Sequence, residues 1–176
     1  NAGDDQLFGM GGDDILSGGQ GNDQLSGGEG NDYFRQNIDK ETDRIDGGAG
    51  VDVVDYSATK FKVTDLPSGA KGVYVDLATT RVTKYIYPIK NGAAELASDE
   101  LKNIENVIGT ERKDEINGDG QANLLIGLAG ADILRGLGGE DVLVGGEDDD
   151  ALDGGDDDDE LHGGSGKDSL KGGKGR

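Results

Sequence analysis

The sequence has no cysteine and no tryptophan, one methionine, one histidine and two prolines, and aromatic residues make up only 5% of it. Without cysteine, neither disulfides nor a thiolate metal site can hold the fold together, although the chain otherwise reads as extracellular. Basic residues are scarce beside acidic ones, 17 against 37, which leaves a formal net charge of −20. Nucleic acid and anionic membrane surfaces are therefore poor partners, and cations are natural ones. No stretch approaches the roughly 18 consecutive apolar residues of a membrane span, and the start at Asn1 lacks the basic region and apolar run of a signal peptide. Apolar residues, at 32% of 176, are too few for a large conventional core.

What the chain has instead is glycine, 34 residues of it, and aspartate in a strict rhythm. Self-similarity has a period of nine, with glycines at positions one, two and four, an acid at position six and an apolar residue at position eight. In a first array, position six is Asp5, Asp14, Asp23 and Asp32 and position eight is Leu7, Leu16, Leu25 and Phe34. After a two-residue slip the pattern resumes with Asp43 and Ile45, then Asp52 and Val54. A second array starts at Gly109, with Asp114, Asn123, Asp132, Asp141, Asp150, Asp159 and Asp168 at position six and Ile116, Leu125, Leu134, Leu143, Leu152, Leu161 and Leu170 at position eight. One apolar residue in nine gives no helical face, and the glycines further disfavour helix. The chain opens within one repeat and closes within another, so it reads as a segment of a longer protein.

Residues 56–108 differ. They carry seven basic residues against six acidic ones, so the charge excess lies in the repeats. Gly72 to Leu77 and Arg81 to Tyr87 are rich in β-branched and aromatic residues and read as strands. Asn103 to Ile108 leads directly into the second array and reads as its first, degenerate rung.

A six-residue turn followed by a three-residue strand reverses the chain direction, so two nonapeptides make one full coil, roughly 18 residues, and successive coils stack in parallel. The expected fold is all-β: a parallel β-roll, or right-handed parallel β-helix, in two blocks (1–55 and 109–176) joined by a β-rich segment (56–108). Position eight then points inward while positions seven and nine face solvent. Glycines at positions one, two and four permit positive φ and a tight turn with converging carbonyls. The position-six acid adds a carboxylate.

Such hard oxygen donors suit Ca²⁺, with its six to eight flexible ligands, better than Zn²⁺, Cu²⁺ or Mg²⁺. The candidate ligands are the thirteen position-six residues named above, with Gly18, Gly19, Gly21, Gly27, Gly28 and Gly30 in the first array and Gly136, Gly145, Gly146, Gly154, Gly155, Gly163 and Gly164 in the second. Ordering nine residues costs about 9 to 18 kcal/mol of backbone entropy, while burying one leucine returns about 1.5 to 3 kcal/mol. Metal has to supply much of the difference, and the metal-free chain is expected to be disordered. Neighbours one coil apart pair Asp5 with Asp23, Asp14 with Asp32, and the second-array acids from Asp114 with Asp132 to Asp150 with Asp168; the slip leaves Asp23 with Asp43 and Asp32 with Asp52 open. Roughly seven to nine ions are expected.

The units Gly18-Gly19-Gln20-Gly21-Asn22-Asp23-Gln24-Leu25-Ser26 and Gly27-Gly28-Glu29-Gly30-Asn31-Asp32-Tyr33-Phe34-Arg35 resemble the nonapeptide repeats of the RTX family. That resemblance implies a secreted or cell-surface protein, export by a type I secretion machinery from a Gram-negative bacterium, and folding on exit. Several residues depart from the pattern. Arg112 and Gln121 replace the fourth glycine and Asn123 the acid, which weakens or empties those sites; Asp148 and Asp157 replace the same glycine further on; Met10 stands at position two, where an ordinary turn would accommodate it.

Asp156, Asp158 and Glu160 lack the glycine and helices of an EF-hand. His162, at position nine, is expected at the surface with no nucleophile beside it, so the segment is not expected to be an enzyme in itself. The alternative role is a calcium-rigidified adhesive or carbohydrate-binding module for a glycan or receptor, with Lys84, Tyr85 and Tyr87 on the binding face. The preferred reading places those residues over the joint.

Overall fold

The computed structural model describes residues 2–58, 71–86 and 95–175, and every regular element among them is a strand. The first array supplies β1 (Gln6–Gly11), β2 (Ile15–Leu16), β3 (Gln24–Glu29), β4 (Tyr33–Arg35), β5 (Arg44–Ala49) and β6 (Val53–Asp55). The middle supplies β7 (Lys71–Asp76), β8 (Arg81–Ile86), β9 (Glu95–Lys102) and β10 (Asn106–Ile108). The second array supplies β11 (Lys113–Asn117), β12 (Leu124–Ala129), β13 (Ile133–Gly138), β14 (Val142–Glu147), β15 (Ala151–Asp156), β16 (Glu160–Ser165) and β17 (Ser169–Lys174).

Within the arrays the strands alternate between two sheets, as a chain that reverses with every repeat must, while β7, β8 and β9 all lie in one. The wide sheet has the order β1-β3-β5-β9-β8-β7-β11-β13-β15-β17 and the narrow one β16-β14-β12-β10-β6-β4-β2. Pairing is parallel throughout except for β7 with β8 and β8 with β9, which are antiparallel. Within an array the register is one full coil, or two repeats, as in Leu125↔Leu143 and Leu134↔Leu152. The slip is absorbed in the turn before β5, because Leu25 still faces Ile45 and Phe34 still faces Val54.

The core is the ladder of position-eight side chains. Phe34, Val54, Val107, Ile116, Leu125, Leu134 and Leu143 are fully buried, Leu7 and Leu161 are only partly so, and Leu170 on the last strand, expected to point inward, is 48% exposed because no further coil covers it. Most strands are longer than the three residues expected. In β3, β5 and β12 through β17 they run from position seven through position three of the next unit, leaving only positions four to six as the turn. The glycines at positions one and two are thus part of the ladder, bent at a corner rather than looped out.

The two arrays are not separate rolls. β6 pairs directly with β10 and β10 with β12, so the narrow sheet runs unbroken through the joint. The degenerate rung over Asn103 to Ile108 is realised as β10, and the two runs read as strands are β7 and β8. The joint is built into the wide sheet, where β9 takes the place of the next rung after β5 and β8 and β7 lie between it and β11.

Candidate metal centre

From the second coil of each array onward, the position-six aspartate ties two coils together. Its Oδ1 accepts the backbone N–H of the position-six residue one coil earlier: Asp5 to Asp23 at 2.8 Å, Asp14 to Asp32 at 2.9 Å, Asp132 to Asp150 at 2.8 Å, Asp141 to Asp159 at 3.0 Å and Asp150 to Asp168 at 3.1 Å. The ladder crosses the slip, with Asp23 N–H to Asp43 at 2.9 Å and Asp32 N–H to Asp52 at 2.7 Å. The turn chemistry explains the geometry. At positions two and four the backbone turns left-handed, as at Gly28 (φ 117°) and Gly30 (φ 127°), which aims the short aspartate side chain back along the coil edge.

The second carboxylate oxygen is the informative one. The Oδ2 atoms of Asp14, Asp23, Asp32, Asp52, Asp132, Asp141, Asp150 and Asp159 are buried and have no hydrogen-bond partner. These are not solvated surface acids: Asp23, Asp32, Asp132 and Asp141 are each only 1% exposed. A buried anionic oxygen without a partner costs several kcal/mol, so such atoms mark the place of a cation.

The position-one glycines show what else borders that place, and their role differs from the one expected. Gly18, Gly27, Gly136, Gly145, Gly154 and Gly163 do not have positive φ. A Cβ there would lie under 3.0 Å from the Oδ2 of the aspartate in the same unit, and at Gly27, Gly136, Gly145 and Gly154 also under 3.0 Å from the carbonyl of the position-one glycine one coil on. Position one is therefore glycine for room, not for conformation. The same measurement shows that carboxylate oxygen and glycine carbonyl meet over one Cα.

Among the described residues no three acidic or histidine side chains converge as a metal-binding group. Neighbouring aspartates meet through the N–H to Oδ1 bond rather than carboxylate to carboxylate, and the donor set is one carboxylate with main-chain carbonyls. That all-oxygen set fits Ca²⁺.

Burial is the main reason six position-six carboxyls hold protons above their ordinary range. Asp132 is pushed up to about 8, Asp43 and Asp114 to about 7, and Asp141 to about 6. Asp52 and Asp150 are raised for the same reason, with nearby acids adding to it.

The structure separates the central position-six residues from the rest. Asp114 is satisfied without a cation: its Oδ2 accepts the Thr110 N–H at 2.6 Å and the Thr110 hydroxyl at 3.1 Å, and its Oδ1 accepts the Val73 N–H at 2.7 Å. Asn123 accepts the Asp119 N–H at 2.9 Å and donates to the Glu105 carbonyl at 2.8 Å. Two further residues take position-six roles without a nonapeptide around them. Asp99 accepts the Asp43 N–H at 3.0 Å, and Glu105 accepts the Asp52 N–H at 2.8 Å. No glycine pattern precedes either one, so only the alignment of β9 and β10 with β5 and β6 exposes them.

Other expectations are corrected or located. Met10 does not sit in an ordinary turn; its φ is 82°, and Leu128 and Leu137 at the same position are also left-handed. Asp148 and Asp157 adopt the positive φ of the glycines they replace. Lys84 is not on an exposed binding face: its side chain is fully buried and its ammonium pairs with Asp39 and Asp99. Burial alone would lower its pKa, but Asp99 and Asp39 outweigh that and hold it above the usual lysine value. The Tyr85 side chain and Tyr87 lie outside what is described. His162 is at the surface, 2.8 Å from Glu160. No helix among the described residues is long and apolar enough to cross a membrane.

Comparison with known families agrees with this geometry. The family model described as the RTX calcium-binding nonapeptide repeat matches in four copies, over residues 1–34, 41–58, 108–143 and 144–176, more than half of the chain.

Proposed function

The chain belongs to the RTX calcium-binding nonapeptide repeat family and is a calcium-binding repeat module; from that premise we propose that it is a folding module of a secreted protein, extended in the cell and compact once calcium reaches its turns outside. The observation that carries this reading is the row of eight buried, partnerless carboxylate oxygens along the coil edges. Calcium, bound there, supplies the positive charge those oxygens lack. The chain's own part is to bury these oxygens and to hold most of them beside a main-chain carbonyl of the next coil. One ion for each such oxygen falls within the seven to nine expected from spacing.

Without metal, the same oxygens oppose folding in a chain whose net charge is already −20. Cytoplasmic calcium is too low to fill sites of the strength usual in extracellular modules, so the chain stays open for export and closes afterward. The proposal gives the segment no catalytic step. Far-UV circular dichroism and equilibrium dialysis test it: β signal should grow with millimolar calcium as about eight ions bind. A complete β signal in chelator, or only one or two bound ions, would contradict it.

A further inference from the structure

The orphaned oxygens stop at the joint, and what replaces the ion there is part of the chain. Asp99 fills the position-six place of the coil after Asp43, shown by the register Arg44↔Glu100 and Ile45↔Leu101 and by the Asp43 N–H to Asp99 bond. Unlike most of its counterparts it has no bare oxygen. Its Oδ2 accepts the Tyr56 hydroxyl at 2.9 Å and its Oδ1 lies 2.8 Å from the Lys84 ammonium. The other two donors of that ammonium go to Asp39 Oδ1 at 3.0 Å and the Glu41 carbonyl at 2.8 Å. A fully buried lysine thus has all three N–H groups bound to two carboxylates and one main-chain carbonyl, the donor types found at the coil edges.

We propose that Lys84 is the resident cation of the joint, balancing Asp99 through the oxygen that also takes the Asp43 N–H while the Tyr56 hydroxyl fills the second oxygen, the one left bare in the flanking coils, and that this makes the middle of the solenoid a metal-independent nucleus for the two calcium-dependent arms. The neighbouring turns agree. Thr110 satisfies Asp114, and Asn123 carries no charge to balance. Orphaned oxygens resume at Asp52 on one side and at Asp132 and Asp141 on the other. Lys84 comes from β8, which is antiparallel to its neighbours and outside the nonapeptide pattern, so the repeats cannot supply this charge themselves. The reading rests on the calcium-coupled folding of the arms proposed above.

Amide hydrogen exchange on the full chain, in chelator and in millimolar calcium, tests both parts. Reporters for the joint are the bonded amides of Tyr56, Glu100 and Leu101; those for the arms are Gln24, Ala151 and Glu160. In chelator the joint amides should exchange about a hundred-fold more slowly than the arm amides. Lys84→Met should abolish that difference in chelator, and calcium should restore joint protection in the variant, because the vacated oxygens then accept an ion. Joint amides of the wild type that exchange as fast as the arms in chelator would overturn the proposal without need of the variant. So would a variant whose joint stays unprotected in calcium, since Lys84 would then be an ordinary ion pair. Arms already protected in chelator would instead refute calcium-coupled folding, leaving the comparison of wild type and variant at the joint to judge Lys84.

Discussion

Asp150→Asn separates the two tasks of a position-six carboxylate. The asparagine keeps an oxygen for the Asp132 N–H, 2.8 Å away, but replaces the orphaned Oδ2 with an amide that donates where a cation should sit. If the ion is held about a hundred-fold above its dissociation constant, losing it removes about 2.7 kcal/mol from the folded state. Shared among the three orphaned aspartates left in that array, Asp132, Asp141 and Asp159, this raises the calcium concentration at half-folding about five-fold. A calcium titration followed by far-UV circular dichroism, with dialysis at saturation, reads both the shift and the missing ion. Asp149→Asn is the control, because Asp149 is exposed and its carboxylate caps the Lys167 N–H at 2.8 Å. An unchanged midpoint for Asp150→Asn, or a lower one, would refute the assignment: removing a buried negative charge with no ion beside it should help folding.

Gly136→Ala should raise the calcium midpoint by more than Asp150→Asn does, since its Cβ would strike both the Asp141 carboxylate and the Gly154 carbonyl, while Gly138→Ala, with open space around its Cβ, should leave it unchanged; the same titration compares them. Leu137→Gly should stabilise the calcium-loaded protein by up to about 1 kcal/mol in urea denaturation, because Leu137 holds φ 80° with its side chain 47% exposed. The raised carboxyls fix the sign of the pH dependence. Asp132, Asp43, Asp114 and Asp141 bind protons more tightly when folded without metal than at the ordinary value of 3.8, so the metal-free fold gains stability as pH falls through 8 to 6 and loses it as pH rises again. Calcium has to displace the protons held by Asp132 and Asp141, whose second oxygens are bare, so the midpoint should rise on acidification from pH 8 to pH 6, and calorimetry in buffers of different ionisation heat should find protons released on binding. A midpoint that stays flat over that range would count against the carboxylate sites.

The coil, its inward ladder and its acid edge are legible in the sequence because each is enforced once in every repeat: Leu134 and Leu152 stack only if the period is kept. Less legible is whatever depends on the coil next door. Gly145 must be glycine because of the Gly163 carbonyl one coil on as well as its own Asp150, and a single repeat contains only the second. Asp99 and Glu105 escape notice as position-six residues because no glycines precede them. Lys84 is legible only as a residue covering the joint, because its acidic partners, Asp39 and Asp99, lie apart from it along the chain in opposite directions and nothing in the strand pattern shows its ammonium buried between them. Tertiary pairing decides all three.

The two extra strands at the joint have a geometric consequence. β8 and β7 widen one sheet while β10 alone bridges the other, and each added strand takes up about 4.8 Å along the stacking axis. One side of the stack is therefore longer than the other by close to a nanometre at that point, like a keystone set into a column of bricks. A stack with unequal sides curves toward the shorter one, so the direction of the solenoid axis past the joint is set by two six-residue strands that lie outside the nonapeptide pattern.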